Sequence, residues 1–445
     1  MAEPVVSKSA EGSFIQGITI KSNKGGETVG LDGGFLKMFY RESIMTDTIS
    51  IDLAVMDTGN TVDKKNFVDG LPVVGGESVS IKFEDNNKNV LDFGEKKNNF
   101  LYVNKLTPLV ENSKKSGYML SLTSKEYILN EKIRLPERFD GKISETVRTI
   151  LTAGNFLGLG TKKNVDDIEE SANSYNFVGN NKKPFYTINW LSKKAIPADT
   201  KGKKSAGFFF YETYTGYHFR SIEGLLKQEE KKRIIYNNST DSRSVPKNYD
   251  VKAAEYKRDS RLDVREKFKI GTYKTRLVTF DPFSTFYKVD KVTPTDLTTG
   301  EAAKSLPTMN PEFESPDANR EFSRTMYFIL DTGTLPTGAT DEQIKKSGEE
   351  ISYPSKHSLP SIMRYNQLFT SEVTITIPGD FSLHAGDAIY LDVAELVDNT
   401  SDKVNGEQGG LYIISDLCHY ISPDKTFTKM NLVRDAYGRK AKSRS

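Results

Sequence analysis

The segment Glu77-Ser78-Val79-Ser80-Ile81-Lys82-Phe83 returns, 310 positions later, as Asp387-Ala388-Ile389-Tyr390-Leu391-Asp392-Val393. In both, apolar side chains recur at the period of two that marks a half-buried strand. The match runs without a gap over residues 71–123 and 381–433. Gly76-Glu77 falls on Gly386-Asp387, Leu101-Tyr102-Val103 on Leu411-Tyr412-Ile413, and Leu120 and Leu122 on Met430 and Leu432. Residues 49–55 alternate as clearly, and Gly75-Gly76, Asp85-Asn86-Asn87 and Gly409-Gly410 supply turn chemistry between strands. Several short alternating strands separated by turns indicate an antiparallel barrel or sandwich. The two ends of the chain are therefore expected to carry two copies of one β-barrel.

Between them the periodicity changes. Ser144 is placed to cap a helix through Leu151, with Ile143, Val147, Ile150 and Leu151 on one side. Pro184 suits the first turn of a second helix, with Ile188 and Leu191 facing inward. Residues 291–320, rich in Pro, Thr, Asp and Glu, read as loop. So do residues 332–360, apart from a short helix near 341–346. The fold class expected is mainly β, with two antiparallel barrels and α+β segments inserted between them.

The 445 residues suffice for several cores. Hydrophobic residues make up 36% and charged ones 27%, and no run approaches the roughly 20 apolar residues of a membrane helix. No stable membrane insertion is expected. Residues 1–13 are small and polar, without the pattern of a secretory leader. The single cysteine, Cys418, excludes an intrachain disulfide and fits folding in a reducing cytoplasm. A net charge of +2 argues against strong nucleic-acid binding. Lys227, Lys231, Lys232 and Arg233, mixed with Glu229 and Glu230, read as a solvated face, and Arg439, Lys440, Lys442 and Arg444 as a frayed basic end.

The sharpest enzymatic signal is a pair of Asp-Thr-Gly triplets after apolar runs, Asp57-Thr58-Gly59 and Asp331-Thr332-Gly333. They resemble an aspartic peptidase, in which two close carboxylates share a proton. That chemistry needs the triplets at equivalent places in duplicated lobes, yet they lie 274 residues apart while the repeat spacing is 310. A strand ending in a turn accounts for each. Residues 154–163 are glycine-rich but lack phosphate-loop order. Asp85, Asn87 and Asn89 start a calcium-loop pattern that Val90 and Lys96 break. His218, His357, His384 and His419 show no metal-ligand spacing. Cys418 and His419, adjacent on a strand, point to opposite faces and cannot form a nucleophile–base pair. Trp190 reads as core or interface and not as a sugar platform, which leaves a polysaccharide-binding β protein as a minor alternative. No catalytic, cofactor-binding or metal residue is assigned, no cofactor is expected, and the chain is read as a non-enzyme.

With the repeat established, the order of segments resembles the central baseplate hub of T-even-type contractile-tailed phages, a class related to the hubs of contractile injection machines. The segments are Phe39-Tyr40-Arg41-Glu42-Ser43-Ile44; Ser124-Lys125-Glu126; Gly141-Lys142-Ile143-Ser144; Asn176-Phe177; Pro184-Phe185; Ile188-Asn189-Trp190-Leu191; Phe210-Tyr211-Glu212; Gly216-Tyr217-His218-Phe219-Arg220-Ser221-Ile222; Ile377-Pro378-Gly379-Asp380; Leu411-Tyr412-Ile413-Ile414; and Val433-Arg434-Asp435. The likeness spans about residues 14 to 437 and is weakest between 285 and 365. It implies tail-tube-like barrels at 1–125 and at 205–237 with 366–437, middle elaborations at 126–204 and 238–365, and a basic tail at 438–445. It also implies a homotrimer forming a pseudo-sixfold ring. The implied partners are a spike or spike-lysozyme protein, the tail tube protein and other baseplate proteins, with DNA passing transiently and without sequence-specific binding. The implied place is the virion tail baseplate, after synthesis in the host cytoplasm. A hub or tube-like protein of a bacterial contractile injection system is the neighbouring alternative. An aspartic peptidase using Asp57 and Asp331 is the alternative from another class.

Overall fold

Two hairpins carry the repeat into three dimensions. The computed structural model describes residues 10–435 apart from 60, 63, 95–98, 113, 156, 199–205, 238–244, 246–247, 259–262, 272–273, 293–311, 313–321, 335–339 and 395–407. The first unit holds β1 (Phe14–Lys21), β2 (Thr28–Gly30), β3 (Phe35–Ser43), β4 (Ser50–Asp57), β5 (Ser78–Glu84), β6 (Val90–Phe93), β7 (Leu101–Glu111) and β8 (Ser116–Ser124). The middle holds β9 (Arg138–Phe139), β10 (Phe177–Val178), β11 (Phe208–Thr213) and β12 (Gly216–Ser221). Then come β13 (Lys232–Tyr236), β14 (Val251–Lys252), β15 (Glu255–Arg258), β16 (Thr275–Asp281), β17 (Phe286–Val292) and β18 (Arg324–Ile329). The chain closes with β19 (Ser371–Pro378), β20 (Ala388–Val393), β21 (Gly410–Ile421) and β22 (Thr426–Arg434).

Shifted by 310, β5, β7 and β8 coincide with β20, β21 and β22 to within a residue at their ends. The counterpart of β6 lies outside the described residues. The hairpin tips share a register: Val110↔Gly117 and Glu111↔Ser116 correspond to Tyr420↔Phe427 and Ile421↔Thr426. The turns before β5 and β20 also agree. Gly76 and Gly386 take φ of +80° and +87°, in the left-handed region that glycine enters at least cost. The inward residues match as well. Val79, Ile81, Leu120 and Leu122 lie in one buried cluster, and Ile389, Leu391, Met430 and Leu432 in another.

Each unit closes by the same device, one segment spanning both edges of a curled sheet. In the first, the order is β1-β5-β7-β8-β4-β3. The chain preceding β3 pairs back through β2 onto β1, with Leu31 N donating to Ile18 O at 2.8 Å. In the second, the order is β13-β20-β21-β22-β19-β15. β14, just before β15, pairs β13, and Ala253 N and Ala254 N donate to Ile235 O and Thr376 O on the two sides. Closure covers much of the edge that makes an open sheet prone to association. One wall differs: β1 runs antiparallel to β5, whereas β13 runs parallel to β20.

The middle differs from the sequence expectation in several respects. The hairpin β11–β12, at residues 207–226 expected to open the second barrel, forms its own two-stranded sheet. Phe208, Phe210, Tyr217 and Phe219 pack with the helices Ile143–Thr152 and Pro184–Ser192. The second barrel takes β13, which lies within the expected 205–237, and residues 251–258, which were expected among the middle elaborations. All six residues of β11 are buried, so the strand carries no alternation to show which core it faces. Ser144 lies within its helix, and its hydroxyl accepts from Ser171 N at 3.2 Å instead of capping. Pro184 is in the first turn as expected, and the short helix runs Thr340–Ser347. A three-stranded sheet, β17-β16-β18, packs Leu277 and Val292 against Leu359 and Met363 of the helix Ser358–Leu368, whose start falls in the stretch read as loop.

Candidate functional site

The joint between the barrels is a strand pairing. The first part of β21 pairs β20; its last six residues turn to β3, from Asp416↔Ser43 to Ile421↔Met38. Both barrels thus belong to one continuous sheet. Aromatic rings cover the joint on both faces. Tyr40 stacks on His419 inside, with centroids 5.8 Å apart, and Phe39 meets Tyr420 outside at 5.2 Å. His419 is wholly buried while its neighbour Cys418 is partly exposed, as strand alternation requires.

Glu42, buried to 2% exposure, ties this joint to the turn before β20 and to the β11–β12 hairpin. Its carboxylate accepts from Ala385 N (2.8 Å), Tyr214 N (2.8 Å) and the Tyr40 hydroxyl, and pairs with His384 Nδ1 (3.1 Å). Burial pushes the carboxyl upward, but His384, Tyr40 and the Tyr214 amide outweigh it and hold Glu42 down at about 2. At His419 burial outweighs the attraction of the Glu42 and Asp380 carboxylates and brings the ring down to about 4, so it is neutral, and its Nδ1 meets Thr428 Oγ1 at 2.8 Å.

Further buried charge groups fix other contacts. Glu212 accepts from Thr48 Oγ1 (2.7 Å), Ser124 Oγ (2.8 Å) and Lys163, which also reaches Glu126 (3.2 Å). Arg364, fully buried, reaches Glu223 (2.8 Å), Gln367 (3.1 Å) and Asp435 (3.4 Å), joining two helices to the end of β22. Asp85 accepts from Phe381 N (2.8 Å), so the tip of the β5–β6 hairpin holds the second barrel. Lys232 reaches the buried Asp380 at 3.0 Å and Lys231 reaches Asp387 at 2.8 Å. The run expected to be a solvated face is therefore partly a structural tie: Glu230 is 2% exposed and binds Arg233. Residues on β13 must face the barrel wall, and charge mixing in the sequence does not reveal that. The basic end at 438–445 lies outside the described residues.

The residues singled out for chemistry fall in separate places. Asp57 accepts from Gly59 N (2.8 Å) and Phe67 N (2.7 Å) at the end of β4. Asp331 pairs with Lys194 (2.5 Å) and accepts from the Tyr175 hydroxyl (2.6 Å) and Gly333 N (3.1 Å). The structure does not bring the two carboxylates together; each organises its own turn. Trp190 packs edge-on to Tyr175 and Phe177 with Lys194 over its ring. His218 binds Asp167 (2.5 Å), and His357 contacts Ser358 Oγ (2.7 Å). Among the described residues no group of three His, Cys, Asp or Glu is placed to hold a metal, and no helix is long and apolar enough to cross a membrane. Sequence reasoning missed the partnership of Glu42 with His384: the two are 342 positions apart, and only the β21–β3 register brings them together.

The fold is two like barrels in one sheet, joined by buried ion pairs and flanked by an α+β middle, and it has counterparts among solved structures. The prophage MuSo2 43 kDa tail protein of Shewanella oneidensis superimposes with a TM-score of 0.51 at 10% identity, over 94% of this chain and 99% of that one. A tail protein from Neisseria meningitidis MC58 gives 0.49 at 10% identity, over 94% and 97%. In sequence, the chain is similar to the probable baseplate hub protein gp334 of Vibrio phage KVP40, 22% identical over 326 residues, 72% of each chain. No family model matches. The sequence likeness to a baseplate hub protein agrees with the hub resemblance carried by the order of segments.

Proposed function

We propose that this chain is a structural hub subunit of a contractile-tail baseplate, three copies of which form a ring with pseudo-sixfold symmetry. The observation that carries the reading is the β21–β3 pairing, which sets two like barrels side by side in one chain. Three such chains give six similar units, able to meet a sixfold tube on one side and a threefold spike on the other. Tail tube, spike and neighbouring baseplate proteins are the partners, and DNA passes through the ring without sequence-specific contacts. The work is mechanical. Asp57, Asp331 and the histidines serve the fold, and neither catalysis nor a cofactor is assigned to them.

The domain division that goes with this reading has a first barrel through residue 125 and a second built from 232–237, 251–258 and 371–435. The remaining middle segments form the outer elaboration. The likeness to a baseplate hub protein supports the assignment. Native mass measurement of the assembled baseplate tests it: three copies of this chain are expected, and six copies or a single copy would contradict it.

A further inference from the structure

The internal repeat shows how one barrel binds the next, and it leaves one such contact unmade. The last six residues of β21 pair β3 of the same chain. Their counterparts at the end of β7 pair β8 on one side only; β7 meets β5 solely at Leu101 and Tyr102. Among the described residues no strand covers the other side of residues 104–111. There Leu109 and Val110 are 48% and 44% exposed. An uncovered edge with apolar side chains invites another strand.

The repeat also identifies the partner strand. Leu122 and Leu120 face Ile51 and Leu53 of β4, and their equivalents Leu432 and Met430 face Val373 and Ile375 of β19. β19 is therefore the second-unit copy of β4. β15, paired to β19, copies β3, paired to β4. On this register Tyr256, Lys257 and Arg258 stand where Met38, Phe39 and Tyr40 stand. The far side of β15 carries no strand among the described residues, and Lys257 and Arg258 are exposed.

We infer that residues 110–111 of one chain pair antiparallel with residues 256–257 of a second copy, in the register Val110↔Lys257 and Glu111↔Tyr256. A bulge between Pro108 and Val110, absent from β21, sets Leu109 outside the ladder position that His419 holds. The inference rests on the hub reading and deepens it, by naming the edges through which copies join. The contact repeats between molecules the joint that β21 and β3 make within one. Its two surfaces differ, so it is heterologous and generates a ring when the rotation closes. Pro108 withholds one backbone donor, so the ladder is shorter than its intrachain model.

Directly opposed residues of an antiparallel pair have Cα atoms about 4.5–5.5 Å apart, within the roughly 4.4–6.8 Å that a disulfide spans. The test uses the full chain with its single cysteine removed (Cys418→Ser), carrying Val110→Cys and Lys257→Cys, under mild oxidation at high concentration. Reductant-sensitive covalent dimers and trimers are expected from the double variant and none from either single variant. A second measurement uses charge: Val110→Lys, opposite Lys257, should weaken self-association at least tenfold, while Val110→Glu keeps it, with both circular dichroism spectra unchanged. Trimers by native mass that neither crosslink nor respond to Val110→Lys would overturn this pairing and leave the hub reading standing. A chain that forms no oligomer at any concentration would overturn both.

Discussion

Glu42 shows how much of this molecule rests on single buried groups. Four donors converge on its carboxylate, from β3, the β11–β12 turn and the turn before β20. Removing one partner of a buried ion pair strands the other and costs about 3–5 kcal/mol. Glu42→Ala is expected to lower the unfolding free energy of the full chain by that amount, read from its urea denaturation curve. A loss under about 1 kcal/mol would show that water replaces the carboxylate without penalty. A second test concerns pH. The pKa of His419 is lower in the folded state than in the unfolded one, so its contribution is complete above the unfolded value and is lost as pH falls toward 4. A difference of that size corresponds to about 3 kcal/mol. Glu42 is also depressed, and its contribution disappears at lower pH, from the ordinary carboxylate range toward 2. Stability should therefore fall between about pH 6.5 and 4, and His419→Phe should flatten that fall, as urea titrations at several pH values would record. An unchanged slope would place the sensitivity elsewhere. Gly386→Ala offers a third: at φ +87° its Cβ would lie 2.1 Å from the Tyr211 hydroxyl oxygen, whereas at Gly25, φ +78°, nothing lies within 4 Å. The first substitution should cost several times the second in thermal melting. Equal losses would mean that backbone strain alone decides.

Strands and hairpins were legible to different degrees, for physical reasons. β5 buries one face, so Val79, Ile81 and Phe83 alternate with polar neighbours, and Ile389, Leu391 and Val393 repeat that period in β20 although five of its six residues are buried, which reveals the duplication. β11 is buried on both faces and carries no such mark, so nothing in its residues shows that it and β12 form a sheet of their own. β14 and β15, the closing strands of the second barrel, are two and four residues long, too short for a period to register. The ion pairs of the joint were invisible because register, set across more than 300 positions, decides which charges meet. Hydrogen exchange tests the elements directly. The amides of β3 and the second half of β21 that bond across the joint should exchange together and slowly. Those of residues 110–111 that face away from β8 should exchange quickly in the free chain and slow on assembly. Fast exchange at the joint would mean that the two barrels are not held as one sheet.

At the scale of the whole molecule, the fold is two closed barrels sharing a sheet, with the middle segments packed around them by buried charges. On the proposed pairing, each chain makes one barrel-to-barrel joint within itself and offers the end of β7 and β15 for the next, so that three copies close a pseudo-sixfold hub. Single-particle electron microscopy of the assembled baseplate decides this: a ring of six barrel densities around a central hole, contributed by three copies of the chain, is expected, whereas six copies in the ring, or a lone copy with no ring, would rule it out.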